Sequence, residues 1–316
     1  MFDMYTNPFS DIKKDDVSLA GGKGASLGEM TQAGIPVPPG FVVVASAFDH
    51  FLKEADLQAE IQTALGGAKT EATHTLEEAS QIIRSLILAA EIPGEIAREI
   101  QTAFQALNTP CVAVRSSATV EDGASAAWAG QLDTFLNTTA SDLLQNVRQC
   151  WASLFTPRAM FYRAEQGLTA KHVSVAVVVQ KMIQSEVSGV AFSVHPVTED
   201  PNQIIIEAVW GLGEALVSGE LTPDGYVVHK DGWEISDYSV SEQTWELVQG
   251  PDGVTQKVAV PEERQSQQKL SDLQIVELAR LVKTIEEHYG FPVDVEWAYA
   301  RGVFFILQSR PITTLR

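Results

Sequence analysis

The sequence predicts an α+β protein organised in two lobes, and three observations carry that expectation. Helical periodicity dominates residues 46–107. Val173 to Gln180 is an almost unbroken β-branched run, the pattern of a strand covered on both faces. The closing stretch, Asp294-Val295-Glu296-Trp297-Ala298 then Phe304-Phe305-Ile306-Leu307-Gln308-Ser309-Arg310-Pro311, reads as two strands turning around Arg301-Gly302. A helix-heavy first part and a strand-richer second part place the division between Gln180 and Ser185, giving domains over residues 1–182 and 183–316.

The elements follow in order. Lys23 to Gln32 reads as a helix stopped by Gly34 and Pro36. Phe41 to Ala45 is a short apolar run after Pro-Pro-Gly, a strand. Ser46, Thr75 and Pro93 each lead a helix, with Gly66-Gly67 and His74 in a loop between them. Cys111 to Val114 is a strand, and Ser141 to Leu154 and Pro157 to Glu165 are helices. Val187 to Val194, Gln203 to Val209 and Gly225 to His229 are strands. Ser271 to Tyr289 is a long amphipathic helix with Ser271 as N-cap.

Charge narrows the partners. The 316 residues carry 22 Lys+Arg against 41 Asp+Glu, a net charge of −19. So acidic a surface argues against nucleic acid and anionic membranes. A polyanionic ligand would need a local basic pocket, which makes individual Lys and Arg residues informative. Cys111 and Cys150 sit in apolar surroundings and read as buried thiols rather than nucleophiles or ligands. Met-Phe-Asp-Met-Tyr has neither a basic start nor an apolar run, so no signal peptide is expected, and no apolar stretch reaches the roughly 18 residues of a membrane span. A cytoplasmic, reduced setting follows as the expectation.

Side chains alternate faces along a strand, so Asp294 and Glu296 share one face and Val293, Val295 and Trp297 the other. A hairpin centred near Arg301 brings Gln308 beside the two acids, with Arg310 just beyond. Carboxylate and amide oxygens suit Mg²⁺, which completes its shell with water and phosphate. An ordinary hairpin with a solvated polar face fits the same pattern. Four further segments carry chemistry. In Ala20-Gly21-Gly22-Lys23-Gly24-Ala25-Ser26, glycines admit a ligand close to the backbone, the following helix directs N–H groups at it, and Lys23 supplies charge for phosphate. In Val112-Ala113-Val114-Arg115-Ser116-Ser117-Ala118-Thr119, a buried strand delivers a planar, permanently charged Arg115 at its end. The small residues of Glu121 to Gln131 suit a lid over phosphates. Gln180-Lys181-Met182-Ile183, at a strand end between lobes, suits an adenine edge read by backbone groups and sandwiched by apolar side chains. Glu207, before Gly211-Leu212-Gly213-Glu214 and Thr222-Pro223-Asp224, suits a ribose hydroxyl. Solvated turns and plain core strands account for each segment taken singly.

As a set these motifs are similar to the N-terminal nucleotide-binding domain of the phosphoenolpyruvate synthase and pyruvate phosphate dikinase family, a domain also carried by rifampin phosphotransferase. The order Gly-Gly-Lys-Gly-Ala, Arg-Ser-Ser-Ala-Thr, Ala-Gly-Gln, Val-Gln-Lys-Met, Ser-Gly-Val-Ala-Phe, Glu-x-x-x-Gly-Leu-Gly-Glu, Asp-x-Glu-Trp and Gln-Ser-Arg-Pro runs from about Gly21 to Pro311. The resemblance implies a two-lobed ATP-grasp fold with ATP between the lobes. It implies that Lys23, Arg115 and Arg310 contact phosphate as the catalytic charges and that Glu296 and Gln308 hold Mg²⁺. By the same resemblance Gln180, Lys181, Met182 and Ile183 line adenine, Glu207 lies near ribose or base, and Asp294 stands behind the metal. The implied partners are a phosphohistidine carrier domain and a pyruvate or phosphoenolpyruvate domain, in cis or in trans. None of the six His, among them His195 in Val194-His195-Pro196, sits in a carrier-like motif. In the lid the family usually reads Ala-Ser-Phe-Ala-Gly-Gln; Ala127 stands where a hydroxyl is usual and Trp128 where Phe is. The alternatives are the corresponding domain of an antibiotic phosphotransferase and a nucleotide-sensing module without chemistry.

Overall fold

A computed structural model describes residues 4–69, 72–119, 133–168 and 173–313. It is α+β, and the chain divides into two compact units, Met1–Glu29 with Pro39–Met182 and Met30–Pro38 with Ile183–Arg316.

Unit 1 holds β1 (Thr6–Pro8), α1 (Val17–Gln32, whose last turn belongs to the other unit), β2 (Gly40–Val43), α2 (Ala45–Glu54), α3 (Gln58–Gly67), α4 (Thr73–Ala89), α5 (Gly94–Ala106), β3 (Val112–Ala118), β4 (Thr134–Thr138), α6 (Leu143–Ser153), α7 (Pro157–Glu165) and β5 (Val175–Lys181). Its five strands run in the order β1-β2-β5-β3-β4 and every pair is antiparallel. The run predicted as a doubly covered strand is β5, whose Val175 to Val179 are fully buried. On one face α2, α4 and α6 build an apolar core in which the Phe51 and Trp151 rings lie 4.9 Å apart. On the other face α1 crosses the sheet, and Gly24 abuts Val42 there.

Unit 2 holds β6 (Val187–Phe192), β7 (Gln203–Trp210), α8 (Glu214–Val217), β8 (Asp224–His229), β9 (Ile235–Ser239), β10 (Trp245–Gln249), β11 (Thr255–Ala259), α9 (Glu262–Gln265), α10 (Asp272–Tyr289), β12 (Val293–Ala300) and β13 (Val303–Pro311). Six strands form an antiparallel sheet ordered β13-β12-β6-β7-β8-β9, and β10 and β11 pair as a separate hairpin. The apolar stripe of α10 (Ile275, Leu278, Ala279, Val282, Ile285) is fully buried and lies against β6, β7, β8 and β12. At its start the Ser271 N–H donates to the Gln274 side chain at 2.8 Å, and Gly290 closes it at φ 76°. Among the described residues no helix is long and apolar enough to cross a membrane.

Several expectations are corrected. Gly66-Gly67 end α3 and His74 opens α4, so neither is in a loop. The strand expected to stop at Val114 continues to Ala118, because Ser116 finds acceptors inside the fold: its hydroxyl donates to the Asp133 carbonyl at 3.1 Å. Glu207, whose place ahead of the Gly211-Leu212-Gly213-Glu214 turn suggests a strand end, lies inside β7. Strands β1, β4, β9, β10 and β11 carried no alternation that marked them. Asp224, which the alternative reading of its segment as a solvated turn would leave exposed, is wholly buried against Lys269 at 2.7 Å. Cys111 and Cys150 are buried and not disulfide-bonded, and burial pushes the Cys150 thiol up to about 12. The lid from Glu121 to Gln131, with Ala127 and Trp128, lies outside the described residues, as does His172.

Candidate nucleotide-binding site

The first group of site residues is built on the α1 face of the unit 1 sheet. Directly opposed residues of an antiparallel pair share a face. Arg115 lies opposite Val178, Ser117 opposite Ala176, and Gln180 opposite both Ala113 and Gly40. Arg115, Ser117 and Gln180 therefore point to one side, the side α1 covers. Arg115 is inside β3 and only 8% exposed.

The turn bearing Lys23 is brought against this face by a break in α1. Gly21 has φ 67° and ψ 171°, non-helical values within the helix. A left-handed φ favours glycine, and close approach demands it: a Cβ on Gly21 would lie 2.1 Å from Ser117 Oγ. The Gly24 N–H donates to the same Ser117 Oγ at 3.3 Å. The turn bearing Lys23, which is half-exposed, is thus pinned on the strand bearing Arg115.

Gln180 supplies a test of ligand fit. It is 2% exposed, yet its Nε2 has no acceptor among the described residues. A buried amide donor left unpaired is costly, and an acceptor on a bound nucleotide would satisfy it. The rest of the expected adenine edge is arranged differently from the sequence expectation. The Lys181 N–H donates to the Pro39 carbonyl at 2.8 Å and the Met182 N–H to the Cys111 carbonyl at 3.3 Å. Neither can donate to a base without breaking those bonds. The Lys181 side chain leaves β5 on the opposite face from Gln180. Met182 and Ile183 lie beyond the strand end and are half-exposed.

The second group is on the unit 2 sheet, on the face away from α10. Glu296 lies opposite Gln308, and Asp294 opposite Arg310. Glu296 is also opposite Val190, which is in turn opposite Glu207, so one row crosses four strands as Gln308, Glu296, Val190, Glu207. The turn Arg301-Gly302 has φ of 54° and 78°, the positive values of a tight two-residue hairpin. Counting back from Ala300 opposite Val303 would put Leu307 opposite Glu296. A bulge between Glu296 and Trp297 shifts the register by one and brings Gln308 there instead.

On this face the carboxyl groups of Asp294, Glu296 and Glu207 stand with the guanidinium of Arg310. Arg310 donates to Asp294 Oδ2 from Nε at 2.8 Å and from Nη2 at 2.6 Å. Burial raises the Asp294 carboxyl above its ordinary range, Arg310 opposes the rise, and Glu296 adds to it. Burial also raises Glu207, with Asp294 contributing. Among the described residues no three His, Cys, Asp or Glu side chains group as a metal site. One carboxylate and one amide oxygen, Glu296 and Gln308, fit Mg²⁺, which needs few protein ligands when phosphate and water supply the others. His195 is a local turn element: its Nδ1 accepts the N–H groups of Val197 and Thr198, each at 3.2 Å.

Two residues that the sequence reading did not single out shape these groups. One is Ser117, described above. The other is Gly189, opposite Trp297 and next to the row of acids. A Cβ there would lie 1.8 Å from the Glu207 carbonyl oxygen and 2.8 Å from the Trp297 ring. Gly189→Ala must push β7 away and also crowds the buried indole. It is expected to cost about 1–3 kcal/mol as an overpacking change. Urea denaturation checks this, and a stability within about 0.5 kcal/mol of the parent, the range of an innocuous surface change, would show that β7 is not held as described.

Comparison with known proteins follows the same residues. Residues 17–316 match the family described as pyruvate phosphate dikinase, AMP/ATP-binding domain. The chain is 47% identical over 313 residues to a probable phosphoenolpyruvate synthase of Methanocaldococcus jannaschii, covering 97% of this chain and 26% of that protein. It is 46% identical to a probable phosphoenolpyruvate synthase of Methanothermobacter thermautotrophicus, covering 98% of this chain and 46% of that one. Against the phosphoenolpyruvate synthase of Pyrococcus furiosus it is 42% identical, with 98% and 44% covered. The chain therefore spans less than half the length of these relatives. With a match over all but its first 16 residues, the chain belongs to the pyruvate phosphate dikinase AMP/ATP-binding domain family.

Proposed function

We propose that this chain is the Mg²⁺–ATP-binding part of a phosphoenolpyruvate synthase-type dikinase with an ATP-grasp fold, and that it passes a phosphoryl group to a carrier histidine outside these 316 residues. The observation that supports it most directly is Glu296 opposed to Gln308, with Arg310 alongside, in a family described as AMP/ATP-binding. On this reading domain 1–182 carries the phosphate and base contacts and domain 183–316 the metal hairpin. Lys23 and Arg115 neutralise phosphate oxygens, Gln180 donates to the nucleotide, and Glu207 faces the ribose or base. Lys181, Met182 and Ile183 border the base through side chains. Glu296 and Gln308 hold Mg²⁺, which screens phosphate charge. Arg310, steadied by Asp294, adds a donor to phosphate. Phosphoryl transfer asks little covalent chemistry of a protein, so positioning and charge are the contribution. The carrier's histidine nitrogen bonds to the β-phosphorus as the bridging bond to the α-phosphate breaks and AMP leaves; water then attacks the γ-phosphorus, the β–γ bridging bond breaks, phosphate leaves, and the β-phosphoryl group stays on the histidine. The named relatives favour pyruvate over an antibiotic as the final acceptor.

Calorimetry on the 316-residue chain tests this. ATP should bind in the presence of Mg²⁺, and Glu296→Ala should remove the Mg²⁺ dependence while leaving weaker, metal-independent binding. If Glu296→Ala binds ATP with the parent's full Mg²⁺ dependence, the metal assignment fails. With pyruvate and Mg²⁺–ATP alone the chain should form no phosphoenolpyruvate, because donor and acceptor must come within ~3–3.5 Å and none of the six His lies in a carrier-like motif. A separate carrier-and-acceptor fragment should restore AMP formation and acquire phosphohistidine. Phosphoenolpyruvate from the chain alone would refute the assignment.

A further inference from the structure

The helical stretch after Gly21 begins without its own cap. An N-cap side chain ordinarily accepts the N–H two or three residues on. Gly21 has no side chain, and none would fit, since a Cβ would overlap Ser117 Oγ at 2.1 Å and the Ser117 carbonyl oxygen at 2.4 Å. The N–H three residues on, that of Gly24, is instead accepted by Ser117 Oγ at 3.3 Å. Ser117 is wholly buried, lies 93 residues away in the chain, and stands two positions from Arg115 on the same strand face. Between Gly21 and Gly24 the one charged residue is Lys23.

We propose that Ser117 is a positioning residue: it caps the α1 restart from the neighbouring strand and so fixes where Lys23 stands relative to Arg115. It acts on the nucleotide through Lys23 and does not touch it. Glycine at 21 and serine at 117 are then one device, each requiring the other. Without the hydroxyl, Gly24 loses its acceptor, the turn is released from β3, and Lys23 samples several positions instead of one. This rests on the reading of Lys23 as a phosphate contact.

The test is a double-mutant cycle on ATP affinity with Ser117→Ala and Lys23→Met in the full chain. Ser117→Ala alone should weaken ATP about tenfold, and in the Lys23→Met background it should change affinity less than twofold. Residues acting through one contact are non-additive in this way, whereas independent sites add. Thermal melting of the ligand-free protein should drop by the same amount in both backgrounds, which separates positioning from general loosening. Ser117→Cys keeps the shape and a weak acceptor. It should fall between serine and alanine, and it takes alanine's place in the cycle if Ser117→Ala shows no cooperative melting. An unchanged affinity in Ser117→Ala, or equal losses in both backgrounds, would overturn the proposal. If Lys23→Met itself binds ATP like the parent, it is the phosphate assignment of Lys23 that has failed.

Discussion

Lys269→Met is expected to destabilise the protein by about 3–5 kcal/mol, the usual cost of breaking a buried ion pair from one side. Both side chains are wholly buried, and Lys269 Nζ lies 2.7 Å from Asp224 Oδ1. Each Asp224 oxygen is fully used. Oδ1 also accepts the Ser241 N–H at 2.9 Å, and Oδ2 accepts the Tyr226 hydroxyl at 2.8 Å and the Lys269 N–H at 2.9 Å. Lys269 Nζ donates in turn to the Ser241 carbonyl at 2.6 Å. Burial and the neighbouring Asp224 raise the Tyr226 hydroxyl well above its ordinary range, so it remains a donor throughout. Removing the ammonium leaves a carboxylate with three neutral donors and no counter-charge in a dry site. Asp224→Asn combined with Lys269→Met should recover part of the loss, because it removes the stranded charge. The effect reaches the site through the sheet: Asp224 opens β8, and the next residue, Gly225, lies opposite Glu207. Guanidinium denaturation at neutral pH measures it. A cost below about 1 kcal/mol for the single variant would place this pair with exposed ion pairs, contrary to its burial.

Why parts of this structure were legible and others not comes down to range. Helix α7 was bounded correctly because Thr156 and Pro157 are local signals: the Thr156 side chain caps the Ala159 N–H at 3.2 Å. Strand β5 announced itself by five consecutive buried apolar residues from Val175 to Val179. Asp224 shows the opposite case. Beside Thr222-Pro223 it looks like a turn acid, and the residue that makes its burial tolerable is 45 positions away. The Arg-Ser-Ser stretch reads as a loop because hydroxyls are rare in buried strands. Ser116 escapes that rule through an acceptor on Asp133 and a hydroxyl on Ser153 at 2.9 Å. The β12–β13 hairpin is the most instructive case. Period-two alternation places Asp294 and Glu296 on one face, but a regular two-residue turn sets Leu307, not Gln308, against Glu296. No local feature of Phe304 to Arg310 marks the bulge that corrects it. The tight turn at Gly21 is likewise written in two places, in a glycine whose φ is positive and in a serine on another strand.

Arg115→Ala is expected to weaken ATP binding tenfold to a hundredfold. A hydrogen bond to a charged group is worth ~1.5–3 kcal/mol, and each 1.4 kcal/mol is a factor of about ten. Arg115 is only 8% exposed and stands within β3, on the face that carries Gln180 and the Gly21 turn. In so dry a setting its charge is poorly screened, so its loss should exceed that of a surface cation. Burial also means that truncation leaves a void, and some loss of stability accompanies the change whatever Arg115 binds. The two effects separate through ligand linkage. Saturating ATP raises the melting temperature of a protein that binds it only when folded. The parent should show that rise, and Arg115→Ala at the same ATP concentration should show little of it, however far its ligand-free melting point has fallen. Arg115→Lys keeps the charge and loses the planar fork, so it should recover part of the affinity and not all. An Arg115→Ala chain that melts lower but gains as much from ATP as the parent would make Arg115 a structural residue of β3. The phosphate charge in unit 1 would then have to be met by Lys23 alone.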